Sequence, residues 1–350
     1  MGGAERQMIG LALFLKQRGY HVDLVTYYEH DFYHELVAHY GIGTLTLHTR
    51  NNRLSKLRAI AKHIRRSGGY DWVIAYKDGP CLIGCLLKIL GGKFRLMVSE
   101  RNTNISLSAS DKIKFFLYKT ADYVVPNSYS QEDFIKRHFP DLGEKVVTIT
   151  NFTDTDYFVP LRHRANENLL VLTAARIAKQ KNVIAYLNAI KQLKDDGICN
   201  VRFEWYGDIQ SGEEDYGEKV LEFLNDLDIM DMISFYPATT DIVSHYQNAD
   251  IFCLPSIYEG FPNVICEAMS CGKPIACSRI CDNPYIVQEN RNAVLFNPYD
   301  VSSIYSGLRK IIELPNVDLM EWGYKSREIA KSLFSKDAFV DKYIRLIEGM

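Results

Sequence analysis

The fold of this chain is decided by one stretch, Asp250-Ile-Phe-Cys-Leu-Pro-Ser-Ile-Tyr-Glu-Gly-Phe-Pro-Asn-Val-Ile-Cys-Glu-Ala-Met-Ser-Cys-Gly-Lys-Pro274. Its first residues form a short apolar run that predicts a buried strand, ended by a Pro-Ser pair. Pro262 suits the first turn of a helix, and Gly272 can end that helix. The apolar residues 275–278 predict the next strand, so the stretch indicates a β-α-β unit.

Two carboxylates lie on this unit. Glu259 is in the loop that follows the first strand, and ligands of parallel sheets bind beyond the carboxyl ends of the strands. A helix turns by about 100° per residue, which places Glu267 about 60° from Val264, at the edge of the apolar face. Such a carboxylate needs a partner, and ligand hydroxyls are good candidates. The alternative for this pair alone is two ordinary surface glutamates.

Strands and helices alternate along the rest of the chain, which predicts parallel sheets covered on both faces. The pattern restarts near residue 169, and two such sheets joined near 151–168 would leave a cleft between two domains. The other predicted strands are 21–26, 71–75, 95–99, 123–126, 145–149, 169–173, 202–206 and 232–235. Residues 3–18 predict an amphipathic helix that ends at Gly19.

Composition is that of a globular protein, with 47% hydrophobic and 24% charged residues among 350. The eight cysteines include no CxxC pair, which favours reduced thiols over a zinc site. No apolar run approaches the roughly 20 residues of a membrane span, and no signal peptide is recognisable. These features predict a cytoplasmic protein without a metal site.

The charge is asymmetric. Residues 1–150 contain 21 Lys/Arg and 14 Asp/Glu, a net +7, and the remainder contains 20 and 29, a net −9. Basic residues are clustered at 50–66 and again at 112–119, where they flank Phe115 and Phe116. This pattern suits an anionic membrane surface or a phosphorylated acceptor, and the alternative is a solvated helix face. No nucleic-acid-binding motif is present, so no nucleic-acid partner is expected.

The 250–274 stretch resembles the donor-binding signature of the retaining family-4 glycosyltransferases (glycosyl transferases group 1), which have the GT-B fold. Further segments resemble that family in the same order along the chain. They are Gly2-Gly3-Ala4-Glu5, Asn151-Phe-Thr-Asp-Thr-Asp-Tyr-Phe-Val-Pro160, Arg176-Ile-Ala-Lys-Gln-Lys181, Asn283-Pro-Tyr-Ile-Val287 and Asn292-Ala-Val-Leu-Phe-Asn-Pro298.

The resemblance implies an α/β protein with two Rossmann-like, doubly wound domains facing a central cleft. Residues 1–160 would be the acceptor-binding domain and 161–335 the nucleotide-sugar-binding domain. A C-terminal helix in 336–350 would pack back toward the first domain. In the family a strand precedes the Gly-Gly loop, whereas Met1 stands directly at that loop here. We therefore expect roughly 10–20 further encoded residues upstream, because a sheet without its central strand leaves backbone groups unpaired.

The resemblance also implies residue roles. Arg176 and Lys181 would stabilise the charge on the leaving diphosphate without a metal ion. Glu267 would bind the ribose hydroxyls, and Glu259 would contact the donor sugar near the reacting carbon. The remaining donor-binding residues would be Gly260, Phe261, Pro262, Asn263 and Val264, with backbone N–H groups of the following helix adding to the phosphate site.

On the acceptor side, the resemblance assigns Gly2, Gly3 and Glu5 to a phosphate or acceptor loop. Many family members carry a histidine just after the predicted strand at 95–99, where this chain has Glu100 and Arg101. Glu100 is a candidate base or orienting group, and Arg101 a candidate for contact with an acceptor phosphate.

The sequence thus predicts a retaining glycosyltransferase that moves a hexose or N-acetylhexosamine from a nucleotide diphosphate sugar, a UDP-sugar in the first instance. The acceptor would be a lipid-linked glycan of a surface polysaccharide, and no cofactor or metal is expected. The protein would be cytoplasmic, with peripheral contact to the inner face of an anionic membrane. The alternatives are a catalytically inactive GT-B scaffold and a nucleotide-sugar epimerase.

Overall fold

A computed structural model describes residues 3–26, 34–47, 52–101, 106–161 and 168–350. The chain forms two compact units, unit 1 (Met1–Phe152 and Lys336–Met350) and unit 2 (Thr153–Ser335). The first boundary lies between Phe152 and Thr153, whereas the sequence placed it after residue 160. The linking segment is held by unit 2, because the Thr153 N–H donates to the Phe334 carbonyl (2.7 Å) and Arg327 Nη1 donates to the Phe158 carbonyl (2.8 Å).

Unit 1 alternates strands with helices and ends with the C-terminal helix. Its helices are α1 (Gly3–Gln17), α2 (His34–His39), α3 (Arg53–Arg66), α4 (Asp78–Ile89), α5 (Ala109–Tyr118), α6 (Tyr129–His138) and α14 (Lys336–Glu348). Its strands are β1 (Asp23–Thr26), β2 (Gly43–Thr46), β3 (Trp72–Tyr76), β4 (Arg95–Glu100) and β5 (Tyr123–Pro126).

The strands of unit 1 form two separate parallel sheets, β1-β2 and β3-β4-β5. Within the described ranges, β1 pairs only with β2, and β3 pairs only with β4. A cavity lies between them, lined by Leu24 and Val25 on one side and by Val73 and Ala75 on the other. Two strand edges of this unit therefore face a cavity of mixed lining, which also includes Asp23, His63 and Tyr70, instead of a neighbouring strand.

The predicted strand at 145–149 is wrong. Residues 140–145 form a 3₁₀ helix, and only Val146 makes an isolated bridge, with Val124. Val147 and Ile149 donate their N–H groups to carbonyls of β5 at 3.0 Å each. The segment follows β5 through these bonds, but it does not continue the bridge into a ladder before the chain enters unit 2.

Unit 2 is larger and more regular. Its helices are α7 (Val183–Asp195), α8 (Glu214–Asp226), α9 (Ile242–Asn248), α10 (Asn263–Ser270), α11 (Asn283–Ile286), α12 (Val301–Ile312) and α13 (Asn316–Phe334). Its strands are β6 (Leu169–Ala174), β7 (Val201–Tyr206), β8 (Ile233–Tyr236), β9 (Ile251–Leu254), β10 (Ile275–Ser278) and β11 (Ala293–Phe296).

The six strands of unit 2 form one parallel sheet in the order β11-β10-β9-β6-β7-β8. Both faces are covered, as predicted. One core contains Leu187 of α7 and Ile304 of α12. The other contains Ile265 of α10 and Ile329 of α13. All carboxyl ends of the strands meet at one edge, and the loops after β6, β7 and β9 lie side by side there.

Candidate functional site

Glu259 lies in the loop between β9 and α10, inside an ion pair. Its Oε1 accepts a hydrogen bond from Lys181 Nζ at 2.5 Å and from Ser256 Oγ at 2.6 Å. The side chains of Lys181 and Glu259 are 12% and 9% exposed. At the carboxyl edge of the sheet, a carboxylate and an ammonium group thus share one largely buried position.

The loops that carry these two charges are bonded to each other. Gln180 Nε2 donates to the Tyr258 carbonyl at 2.7 Å, and the Ile257 N–H donates to the Gln180 carbonyl at 2.9 Å. The loop after β6 and the loop after β9 are therefore held together next to the ion pair. This linkage preorganises the position of both charges.

Glu267 is on α10 and is buried, with 8% exposure. The Tyr246 hydroxyl of α9 donates to its Oε2 at 3.2 Å. Burial, followed by the charge of Glu267, raises the pKa of Tyr246 well above its usual value. The phenol therefore stays protonated and can keep donating to the carboxylate.

Arg176 follows β6 and is exposed at the same edge of the sheet. The neighbouring strand β7 is followed by Gly207, whose φ is +155°. A Cβ at Gly207 would lie 2.0 Å from the Ala175 carbonyl oxygen and 3.1 Å from the Arg176 nitrogen. Gly207 thus lets two loops approach closely beside Arg176. The sequence interpretation missed it, although a glycine directly after a predicted strand was visible.

The donor-loop residues take two kinds of position. Phe261 is buried in the core of unit 2 and packs edge-to-face against Phe334, with ring centroids 5.8 Å apart. Pro262 precedes the first residue of α10 and makes no side-chain cap. Asn263 and Val264 begin α10, and the Asn263 N–H donates to the Phe261 carbonyl at 3.0 Å, so this group is used within the loop.

Gly260 connects Glu259 to this buried Phe261 and is itself partly exposed. The loop is therefore anchored by an aromatic side chain on one side of Gly260 and by the ion pair on the other. Phe261 is a packing residue in this structure, whereas the sequence grouped it with the donor contacts.

The acceptor-side loop expected at Gly2 to Glu5 has a different form in the described residues. Gly3 and Glu5 belong to the first turn of α1, because this helix already begins at Gly3. Gly2 lies outside the described residues. Glu5 forms an ion pair with Lys77, and the hydrogen bond from Lys77 lowers the pKa of the Glu5 carboxyl.

Glu100 ends β4 and has a fully buried side chain. Lys114 Nζ lies 2.9 Å from Glu100 Oε2, with Asp78 and Asp111 oxygens at 3.4 and 3.5 Å from the same amine. Burial alone would lower the pKa of Lys114, but the charge and hydrogen bond of Glu100 together with the charges of Asp78 and Asp111 outweigh burial, so the pKa is raised. A buried, ion-paired Glu100 does not suit the role of a base for an external hydroxyl, so we assign it to the packing of unit 1.

Arg101 is engaged by residues of its own unit. Its guanidinium lies 4.3 Å from the ring centroid of Tyr76. Nη1 donates to Asn151 Oδ1 at 2.9 Å, and Nη2 donates to the Tyr343 hydroxyl at 3.0 Å. These contacts join β4 to α14, and the contact with an acceptor phosphate stays a prediction.

Within the described ranges, no group of three His, Cys, Asp or Glu side chains is placed to hold a metal ion. No helix of the same ranges is both long enough and apolar enough to cross a membrane.

Comparison with known proteins gives two family matches. A family described as Glycosyl transferases group 1 matches residues 159–329, and one described as Glycosyltransferase Family 4 matches residues 1–157. The first match covers the ion pair, Arg176 and Glu267, and the second covers the described acceptor-side candidates. Together the two matches account for nearly the whole chain.

Individual relatives agree. An uncharacterized glycosyltransferase of Haemophilus influenzae is 24% identical over 364 residues, covering 100% of this chain and 96% of the relative. The N-acetylgalactosamine-N,N'-diacetylbacillosaminyl-diphospho-undecaprenol 4-alpha-N-acetylgalactosaminyltransferase of Campylobacter jejuni is 21% identical over 277 residues, covering 76% and 73%. The solved structure of Anabaena HepE in complex with UDP has a TM-score of 0.83 at 19% identity, covering 100% and 97%.

Proposed function

Because this chain belongs to glycosyltransferase family 4 and has the GT-B fold, we propose that it transfers a hexose or N-acetylhexosamine from a UDP-sugar to a lipid-linked glycan. The product would be an intermediate of a surface polysaccharide, and the sugar would keep its anomeric configuration. The observation that carries the proposal is the buried Lys181–Glu259 pair at the carboxyl edge of unit 2. The UDP bound by HepE and the diphospho-undecaprenol acceptor of the Campylobacter jejuni enzyme support the two substrate classes.

In this proposal the residues of unit 2 divide the donor between them. Arg176 and Lys181 stabilise the charge that grows on the leaving diphosphate, with no metal ion required. Glu267 accepts hydrogen bonds from the ribose hydroxyls and is kept in place by Tyr246. Glu267 and Tyr246 are hydrogen-bonded to each other before the donor arrives, which lowers the cost of ordering the site.

Glu259 acts at the donor sugar. Lys181 and Ser256 both bind its Oε1, so the carboxylate has a fixed orientation before the sugar binds. From that position it orients a sugar hydroxyl and stabilises positive charge at the reacting carbon. The acceptor hydroxyl then attacks on the face that the diphosphate leaves, which retains the configuration.

We also propose peripheral contact of unit 1 with an anionic membrane, which would bring a cytoplasmic enzyme to its lipid-linked acceptor. Helix α5 exposes Ile113 (64%) and Phe116 (65%), with the exposed Lys112 beside them. In the same unit, the C-terminal end of α4 exposes Ile89 (55%), and Leu90 directly after it is 71% exposed. The other half of the predicted basic and aromatic cluster is core, since Lys114, Phe115 and Tyr118 are buried.

The transfer assay that tests the proposed function uses UDP-sugars and an undecaprenyl-diphosphate-linked sugar acceptor, with wild type and Glu259→Gln compared. We expect transfer by wild type and a loss of roughly 100-fold or more in kcat for Glu259→Gln, with UDP affinity changed far less. UDP binding without transfer to any acceptor would favour an inactive scaffold. Interconversion of the free UDP-sugar without transfer would favour an epimerase.

The membrane contact is tested separately by sedimentation with vesicles. Wild type should bind vesicles containing phosphatidylglycerol more strongly than phosphatidylcholine vesicles, and Ile113→Ser/Phe116→Ser should lose most of this binding. The matched control is Leu221→Ser/Met320→Ser, which removes apolar side chains that are 50% and 75% exposed in unit 2. Equal losses in both double variants would contradict a specific docking surface.

A further inference from the structure

The segment with which the chain enters unit 2, residues 153–160, contacts α9 directly and α10 through an arginine of α13. We call it the linking segment. It begins at the boundary between the two units, where the Thr153 N–H donates to the Phe334 carbonyl at 2.7 Å. Helices α9 and α10 carry the Tyr246–Glu267 pair. The linking segment is therefore bonded to the elements that hold the carboxylate assigned to the ribose.

Two neighbouring residues of the linking segment contact α9. The Phe158 ring packs edge-to-face on the Tyr246 ring, with centroids 6.0 Å apart at an interplanar angle of 71°. Next to it, Gln247 Nε2 donates to the Val159 carbonyl at 2.9 Å. Phe158 is 7% exposed and Tyr246 is fully buried. Because the interior is close-packed, neither ring can turn away without disturbing the core around both.

Arg327 of α13 ties the same segment to α10. Its Nη1 donates to the Phe158 carbonyl and to the Ser270 carbonyl, at 2.8 Å each. Ser270 is the last residue of α10, the helix that carries Glu267. One guanidinium thus fixes the linking segment to the helix of the carboxylate, while the Phe158 ring fixes it to the helix of the phenol.

The group that these contacts position is the Tyr246 hydroxyl. It donates to Glu267 Oε2 at 3.2 Å, a long hydrogen bond whose strength depends on where the phenol ring lies. Phe252 of β9 contacts the same ring, with centroids 5.6 Å apart. Removing the Phe158 ring would leave a space into which the phenol can move, away from the carboxylate.

We propose that Phe158 is a positioning residue for donor binding, which acts through Tyr246 to fix Glu267 in the orientation that accepts the ribose hydroxyls. This inference rests on the proposed function, because it takes Glu267 as the acceptor for the ribose. It gives the linking segment a role in substrate binding. Coupling of this kind is reciprocal, so bound donor stabilises the packing of Phe158 on Tyr246 as much as that packing favours the donor.

The alternative is that Phe158 is only a core residue of unit 2. Truncating a buried phenylalanine lowers the free energy of unfolding in either case, so stability does not separate the two roles. The ribose hydroxyls do separate them. A positioning residue changes the preference for UDP over 2′,3′-dideoxy-UDP, which keeps the base and the diphosphate, whereas a core residue leaves that preference unchanged.

The experiment measures the affinity of the full chain for both nucleotides by calorimetry. We expect Phe158→Leu to weaken UDP binding roughly tenfold and to leave 2′,3′-dideoxy-UDP binding within about twofold of wild type. The matched control is Phe203→Leu, which truncates a ring that is 1% exposed on β7 in the other core of unit 2. This control should lose stability and keep the wild-type preference for UDP.

A double-mutant cycle tests the path through Tyr246. Tyr246→Phe removes the hydroxyl and keeps the ring, so Phe158→Leu should weaken UDP binding no further in that background. If Phe158→Leu does not fold, Gln247→Ala takes its place in the comparison of nucleotides. This variant loses only the bond to the Val159 carbonyl and should reduce the preference for UDP roughly threefold.

An unchanged preference for UDP in Phe158→Leu, or in Gln247→Ala where it replaces that variant, would overturn the inference and leave the proposed function intact. Equal weakening of the two nucleotides would also overturn it and would make Phe158 a core residue. Additive losses in the double variant would refute the path through Tyr246. A wild type that binds neither nucleotide would contradict the UDP donor of the proposed function, and the role of Phe158 with it.

Discussion

At the scale of single residues, the carboxylates of unit 2 are positioned by partners that lie far away in sequence. Lys181 and Glu259 are 78 positions apart, and Tyr246 and Glu267 are 21 apart. Each carboxylate is largely buried and receives a donor from another element. Buried charges of this kind are stable only when paired, so both sites are built in advance of the ligand.

Glu267→Ala should weaken UDP binding by roughly 10-fold to 100-fold, because ribose hydroxyls lose a charged acceptor. Glu267→Gln, which keeps an acceptor oxygen without the charge, should lie between wild type and the alanine variant. Calorimetric titration with UDP measures both. Unchanged affinity in both variants would remove the ribose role from Glu267.

Lys273 makes the free energy of unfolding depend on pH. Its amine is buried and donates to the carbonyls of Gln247 (2.9 Å) and Ala249 (2.7 Å) at the end of α9. Burial lowers the pKa of Lys273 to about 8, below the 10.5 of an unperturbed lysine. Between these values the unfolded chain binds more protons than the folded one, so this residue makes the free energy of unfolding rise with pH.

We therefore expect unfolding in urea to show a larger stability gain from pH 7.5 to pH 9.5 in wild type than in Lys273→Met. Both proteins contain the same tyrosines, so the contribution of tyrosine titration at higher pH cancels when the two slopes are subtracted. The gain should approach about 3 kcal/mol only when the pH nears the pKa of the unfolded lysine. Parallel slopes in the two proteins would contradict the lowered pKa of Lys273.

At the scale of elements, the carboxyl edge of the unit 2 sheet depends on how closely the loops after β6 and β7 approach each other. Gly207 is the contact point, since a side chain there would overlap the Ala175 carbonyl.

In unit 1, helix α5 has a buried face and an exposed face that are both apolar. Its inner face buries Phe115 and Tyr118, while its outer face exposes Ile113 and Phe116.

Gly207→Ala should destabilise unit 2 by about 1–3 kcal/mol and weaken UDP binding, because the added methyl group moves the loop that carries Arg176. Gly79→Ala is the control. That glycine is in α4, no atom lies within 4 Å of its added Cβ, and its φ is not positive. Thermal unfolding with and without UDP measures both effects, and a Gly207 variant that melts like wild type would refute the close-contact argument.

At the scale of the whole molecule, the two units differ in how many segments of the chain build them. Unit 2 is continuous, whereas unit 1 is completed by α14 from the C-terminus. Phe339, Val340 and Tyr343 of α14 are buried in one cluster with Leu11 and Leu15 of α1. The last residues of the chain are thus part of the core that the first helix builds.

Deleting residues 336–350 should therefore destabilise unit 1 by several kcal/mol, since three large buried side chains are removed together. Unit 2 should keep its UDP-dependent rise in melting temperature. Calorimetry and limited proteolysis distinguish the units, with cleavage expected first within residues 1–152. Full loss of the UDP response, or proteolysis that begins in unit 2, would contradict this division.

Local patterns in the sequence determined the elements of unit 2 and the position of its carboxylates. The alternation of apolar strands with amphipathic helices, and the Pro and Gly residues at their ends, predicted the parallel sheet and the β9-α10-β10 unit. Such signals depend on neighbours a few positions apart, so they can be read without the fold. The same reasoning placed Glu259 in the loop at the carboxyl end of β9 and Glu267 on the helix that follows this loop.

Only the tertiary structure decided which side chains meet. Whether Glu100 is an accessible base or a buried partner of Lys114 depends on how β4 and α5 pack, and no periodicity encodes that. Tyr206 and Tyr236 stack because they are in register on adjacent strands, and α9 places His245 against the Tyr206 ring. Strand order and register result from the free energy of burying a whole core, so contacts across them cannot be read from spacing along the chain.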